Sequence, residues 1–91
     1  MAIMGVFLMI DEDHVVRALQ EAAEKLDGAE GEVVLDFSSV YRIDPSAIRG
    51  LKEFAGTADD KRVKATLRGV NVDVYKVLKL VRLASRFSFV N

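Results

Sequence analysis

Apolar and polar positions change period several times along this chain of 91 residues, and each change marks an element. Ile3 to Ile10 is nearly all apolar, which predicts a strand buried on both faces, with Gly5 as a bulge or point of close approach. Asp11-Glu12-Asp13 then predicts a helix start, because carboxylates meet free N–H groups and the positive end of the helix dipole there. Val15, Val16, Leu19, Ala22, Ala23 and Leu26 form one helical stripe, with Arg17, Gln20, Glu21, Glu24 and Lys25 on the opposite face. Gly28 falls where a C-terminal cap belongs, and Gly31 closes the loop.

Val33, Val34, Leu35 and Phe37 make a short apolar run bounded by turn residues, the pattern of a central strand. Asp44-Pro45 predicts the next helix start. The carboxylate can accept a backbone N–H, and proline at the first helical position lacks a donor that would be orphaned anyway. Ala47, Ile48, Leu51, Phe54 and Ala55 then point inward, while Arg49, Lys52 and Glu53 point out; Gly56 to Asp60 reads as a loop. Val63, Ala65 and Leu67 alternate with Lys64, Thr66 and Arg68, which predicts a half-wet strand near a sheet edge. Gly69-Val70-Asn71 turns the chain, with Asn71 or Asp73 as cap, into a helix carrying Val74, Val77, Leu78, Val81 and Ala84 inward. Phe87 to Val90 reads as a last strand. The order β-α-β-α-β-α-β predicts an α/β fold, a small mixed and largely parallel sheet with right-handed crossovers.

Length and composition narrow the chemistry. A chain of this size suits a single domain, residues 1–91, that buries roughly 60–70% of its unfolded surface. Cys is absent and His14 is the single histidine, so disulfides, thiol chemistry and Cys- or His-rich metal sites have no material, and no cofactor is expected. His14, in the first turn of its helix, is expected to have a surface or capping role. No phosphate-cradling glycine motif follows any strand. The apolar opening lacks a preceding base and is too short to span a bilayer, so membrane insertion is not expected and a cytoplasmic location is.

Net charge is −1, but it is divided unevenly. Residues 1–32 carry eight acids and two bases, and residues 33–91 carry six acids and eleven bases. Two oppositely charged surfaces follow. Lys76, Lys79, Arg82 and Arg86 form a basic ridge on the last helix with no interleaved exposed aromatic, which reads as a solvated face and not as a nucleic-acid site. Asp36 and Asp44 could in principle pair as acid and base, but each has a structural task, Asp44 as cap and Asp36 in the Asp36-Phe37-Ser38-Ser39 bend.

The stretch from Val33 to Asp44, followed by Pro45-Ser46-Ala47-Ile48-Arg49-Gly50-Leu51, resembles the signature of STAS domains, the anti-sigma factor antagonist family. Ala65-Thr66-Leu67-Arg68-Gly69-Val70-Asn71 and the helix after it resemble the family's strand, Gly-Val turn and last helix; Ile10-Asp11 resembles the Leu-Asp that opens its first helix. The resemblance implies a non-enzymatic switch module. In the family a Ser directly after the motif Asp is phosphorylated by a kinase that is also an anti-sigma factor, and the added charge alters the binding face. Asp44 matches the motif Asp, Ser46 the second Ser and Ala47 the usual Gly, while Pro45 stands where the phosphorylated Ser would be.

Proline has no hydroxyl. Ser46 is the only nearby alternative, about a hundred degrees round the helix, and its phosphorylation is not expected. The expected partner-binding residues are Asp11, Asp44, Pro45, Ser46, Arg49 and Lys52, and the expected partner is a protein, either a kinase-type anti-sigma factor or a transporter ATPase. The alternatives are an accessory subunit of a lipid-transport or signalling complex, and a nucleotide- or anion-binding module at the helix N-terminus, where Asp44 opposes an anion.

Overall fold

The computed structural model describes residues 6–26 and 31–90. The expected features at Ile3, Gly5 and Gly28 lie outside them. Strands β1 (Val6–Met9), β2 (Glu32–Asp36), β3 (Lys64–Arg68) and β4 (Ser88–Val90) alternate with helices α1 (Val15–Lys25), α2 (Pro45–Asp60) and α3 (Val72–Leu80). A 3-10 turn, Glu12–His14, leads into α1 and another, Ala84–Arg86, follows α3. The four strands pair in the order β1-β2-β3-β4, every pair parallel, so each connection carries the chain one strand along in the same direction.

The registers sort the side chains into two faces. Leu8, Leu35, Leu67 and Phe89 share one row, and Val33 and Ala65 extend the same face. That face meets Val15, Leu19, Ala22 and Leu26 of the first helical segment, Leu51, Phe54, Ala55 and Ala58 of α2, and Val74 and Leu78 of α3 in one apolar core. The other face carries Phe7, Val34, Thr66 and Ser88 in one row and Met9, Asp36, Arg68 and Val90 in the next. No described helix lies on it. Phe7 and Met9 are 57% and 65% exposed, so β1 is not buried on both faces as its apolar run suggests.

The same bare face corrects the reading of β3. Its polar alternation does not mark an edge, because β3 lies between β2 and β4. Thr66 is buried and donates its hydroxyl to Glu32 Oε2 at 2.7 Å, a cross-strand pair on the uncovered face.

Two further differences concern helix ends. The segment from Gly56 to Asp60 is not a loop but the last turn and more of α2, since Ala58 continues the stripe of Leu51, Phe54 and Ala55 into the core. Helix α3 stops at Leu80, so Ala84 belongs to the following 3-10 turn. Both helices close the same way. Arg62 (φ 58°) and Arg82 (φ 64°) take the left-handed conformation, and the next residue's N–H returns to the last turn, Val63 to Ala58 O at 2.9 Å and Leu83 to Leu78 O at 2.8 Å. These are Schellman caps with arginine where glycine is usual, and Val63 and Leu83 supply the accompanying apolar contact.

Candidate functional site

The carboxyl ends of parallel strands gather the loops that run into the helices, and here those loops are tied to one another. Asp44 is the N-cap of α2: extended at φ −98°, ψ 175°, it accepts the Ala47 N–H on Oδ1 at 2.8 Å. Its own carbonyl takes the Ile48 N–H at 3.0 Å, and Pro45 fills the first helical position. Asp44, Pro45 and Ser46 are exposed, whereas Ala47 is buried and anchors the turn to the core.

The loop before Asp44 is clamped from both sides. Glu12 Oε2 accepts the N–H groups of Tyr41 and Arg42, both at 3.0 Å, which joins the β1–α1 connection to the β2–α2 connection. Asn71 Nδ2 donates to Tyr41 O at 3.2 Å while Asn71 Oδ1 caps α3 through the Val74 N–H at 2.8 Å. Of the two proposed caps for α3, Asn71 is therefore the one used. Tyr41 remains 64% exposed beside a groove of about 270 Å³ lined by Tyr41, Arg42, Ile43, Asp73, Val74 and Val77.

Asp11 lies at the same end. It caps the 3-10 turn by accepting the Asp13 N–H at 3.0 Å and sits 3.6 Å from the exposed His14 ring. Arg49 and Lys52 are exposed on α2, and with Pro45 they recur at i, i+4 and i+7, so one outward stripe carries all three. The fold thus brings Asp11, Asp44, Pro45 and Ser46 to one end of the sheet and runs Arg49 and Lys52 away from it along α2. Glu12, Asn71 and Tyr41 extend the set of side chains that shape this end. The charge pattern around Asp11 draws attention to helix starting and conceals Glu12's reach across thirty residues.

Asp36 serves the frame beneath the site. It is buried, accepts the Ser38 N–H on Oδ1 at 2.9 Å and lies 3.5 Å from Arg68 Nη1. Hydrogen bonds from the Ser38 backbone and side chain, helped by Arg68 and opposed by burial, hold its carboxyl below the usual value of 3.8. A carboxylate depressed in the fold stabilises it fully above its unfolded pKa, and that contribution is lost as pH falls through the lower folded value. Asp36→Asn is expected to cost about 1–3 kcal/mol at pH 7. The difference from wild type, measured by urea unfolding across an acid series, should hold steady above about pH 5 and narrow below about pH 4; a difference independent of pH down to acid unfolding would refute the assignment.

The strand order of the described residues has no reversal, and so no topological switch point at which a crevice opens between helices on opposite faces of the sheet. Among the described residues no group of three or more His, Asp and Glu side chains could hold a metal ion, and no helix is long and apolar enough to cross a membrane.

A parallel four-stranded sheet presenting an aspartate-capped helix start at its carboxyl edge is the architecture of the STAS class. The family model described as "Mlab, STAS domain" matches residues 9–90, and the chain belongs to that family. Two solved structures share the fold. One is the NMR structure of the protein TM1081, with TM-score 0.79 and 17% identity over 100% of this chain and 77% of the other. The other is the crystal structure of TM1081 from Thermotoga maritima, provisionally described as an anti-sigma factor antagonist, with TM-score 0.79 and 14% identity over 100% of this chain and 82% of the other. No curated protein matches the chain significantly.

Proposed function

We propose that this chain is a non-catalytic protein-binding module of the anti-sigma factor antagonist type, meeting its partner through Asp11, Asp44, Pro45, Ser46, Arg49 and Lys52. The observation that carries this reading is the α2 start itself: a capped, exposed helix end held by bonds from both neighbouring loops, on a sheet that offers no switch-point crevice for a small molecule. Such an end is rigid before binding, so little ordering entropy is lost on contact.

Pro45 bears on what regulates it. A proline at the first helical position gives a kinase no oxygen to modify, and the neighbouring Ser46 points elsewhere round the helix. The contact is therefore a constant one, set by fixed charges. That favours, as second reading, a subunit of a lipid-transport or signalling assembly built on a transporter ATPase, which needs no phosphoacceptor. Either partner places the module in the cytoplasm.

Capture of partners from the source cell's extract with wild type and Arg49→Glu separates these readings. Recovery of a kinase-type anti-sigma factor supports the first and of a transporter ATPase the second, and Arg49→Glu should weaken either complex at least about tenfold. Arg49 is exposed, so its stability should change by less than about 0.5 kcal/mol. Capture that is indifferent to Arg49→Glu and Lys52→Glu would remove α2 from the interface.

A further inference from the structure

The other outward helix, α3, carries side chains that a soluble surface does not require. Val72, Tyr75, Lys76, Lys79 and Leu80 recur at i, i+3, i+4, i+7 and i+8 and form one stripe opposite the buried Val74 and Leu78. Val72 is 67% exposed and Leu80 82%. Among the described residues no carboxylate pairs with Lys76, Lys79 or Arg82. The helix's single acid, Asp73, is exposed at the edge of the stripe beside Lys76 and Leu80, leaving two lysines against one carboxylate.

We propose that this face lies against a bilayer surface rich in anionic phospholipid. Three observations point to a fluid anionic surface as the occupant. The stripe is one convex ridge, about 13 Å long, on which apolar side chains at both ends flank two lysines; a rigid partner would need a matching groove, whereas a bilayer conforms. Its composition suits headgroup depth, where lysine stems lie along apolar surface with their ammonium groups outward. Contrary to the sequence reading, the ridge does carry an exposed aromatic, Tyr75, 39% exposed with its ring edge-on to Phe89 at 5.1 Å. Its charge is also oriented. Residues 11–25, which join β1 to β2 at one flank of the sheet, carry five acids and two bases, whereas α3 beside β3 and β4 exposes Lys76 and Lys79 against the single Asp73, so a negative surface attracts the molecule with α3 foremost. With one short helix and no lipid anchor, the contact is reversible and salt-sensitive.

Flotation of the purified chain with vesicles of phosphatidylcholine, alone or with about a third phosphatidylglycerol, tests this at low salt. The anionic vesicles should carry at least about five times more protein than the neutral ones. Lys76→Glu/Lys79→Glu and, separately, Leu80→Ser should abolish the excess, and the charge-matched Arg17→Glu/Lys25→Glu, at two exposed positions of α1, should leave it in place. Leu80 is so exposed that its replacement does not threaten the fold. Equal flotation with both vesicles would overturn the proposal, as would equal losses in Arg17→Glu/Lys25→Glu and the α3 lysine variant, which would reduce the effect to net charge. NMR shifts on α3 caused by an acidic amphipathic peptide but not by anionic bicelles would assign the face to a protein and also overturn it.

Discussion

Replacing Gly69 with alanine is expected to destabilise the protein by about 2–4 kcal/mol, read as a lower urea midpoint at unchanged slope. Two costs combine. Gly69 has φ +72°, a conformation that disfavours any side chain, and a Cβ built there would stand 2.9 Å from Ser38 Cβ and 3.2 Å from Ser38 Cα. The contact is with backbone and a short side chain, so neither can swing aside. The neighbouring bonds, Phe37 N–H to Arg68 O at 2.8 Å and Gly69 N–H to Val90 O at 3.0 Å, fix both segments in place. Because Ser38 opens the loop that ends at Asp44, the variant should also loosen the proposed binding end. A loss below about 0.5 kcal/mol would show that the two loops do not meet as described.

Phe37→Ala is expected to cost about 3–5 kcal/mol, the loss of a large buried ring plus the cavity left behind. Phe37 has no exposed surface and follows β2 directly, under the loop that carries Tyr41 and Asp44. Phe37→Leu refills part of that volume and should recover more than half of the loss in the same assay. Equal losses for the two variants would mean that the ring's volume is not what the site matters for.

Helix stripes were legible because burial of one face repeats at a helical period. Val15, Leu19, Ala22 and Leu26, or Leu51, Phe54 and Ala55, state their inward side without tertiary information. Asp44-Pro45 was equally plain, since N-capping and proline at the first position are local chemistry. What covers a strand is not local. The apolar run of β1 and the alternation of β3 both depend on whether a layer lies over the second face, and the strand order leaves that face without a described helix. The helix ends were hidden for another reason: Arg62 and Arg82 occupy cap positions that glycine usually marks.

The site was partly legible in the same sense. Asp44, Pro45 and Ser46 are contiguous and could be read as one corner, and Arg49 and Lys52 follow from helical spacing. Glu12 and Asn71 act on a loop about thirty residues away in sequence, through bonds to backbone N–H and C=O groups that leave no pattern in residue types. The clamp that makes the corner rigid is thus visible only in three dimensions.

The central claim is that a protein partner is held at the Asp44 end of α2. Amide hydrogen exchange of the complex formed with the captured partner tests it most directly. Added protection should concentrate in residues 41–52 and 11–14, with the bare sheet face and α3 exchanging as in the free protein. Protection confined to β1, β3 or α3, with residues 41–52 unchanged, would contradict it.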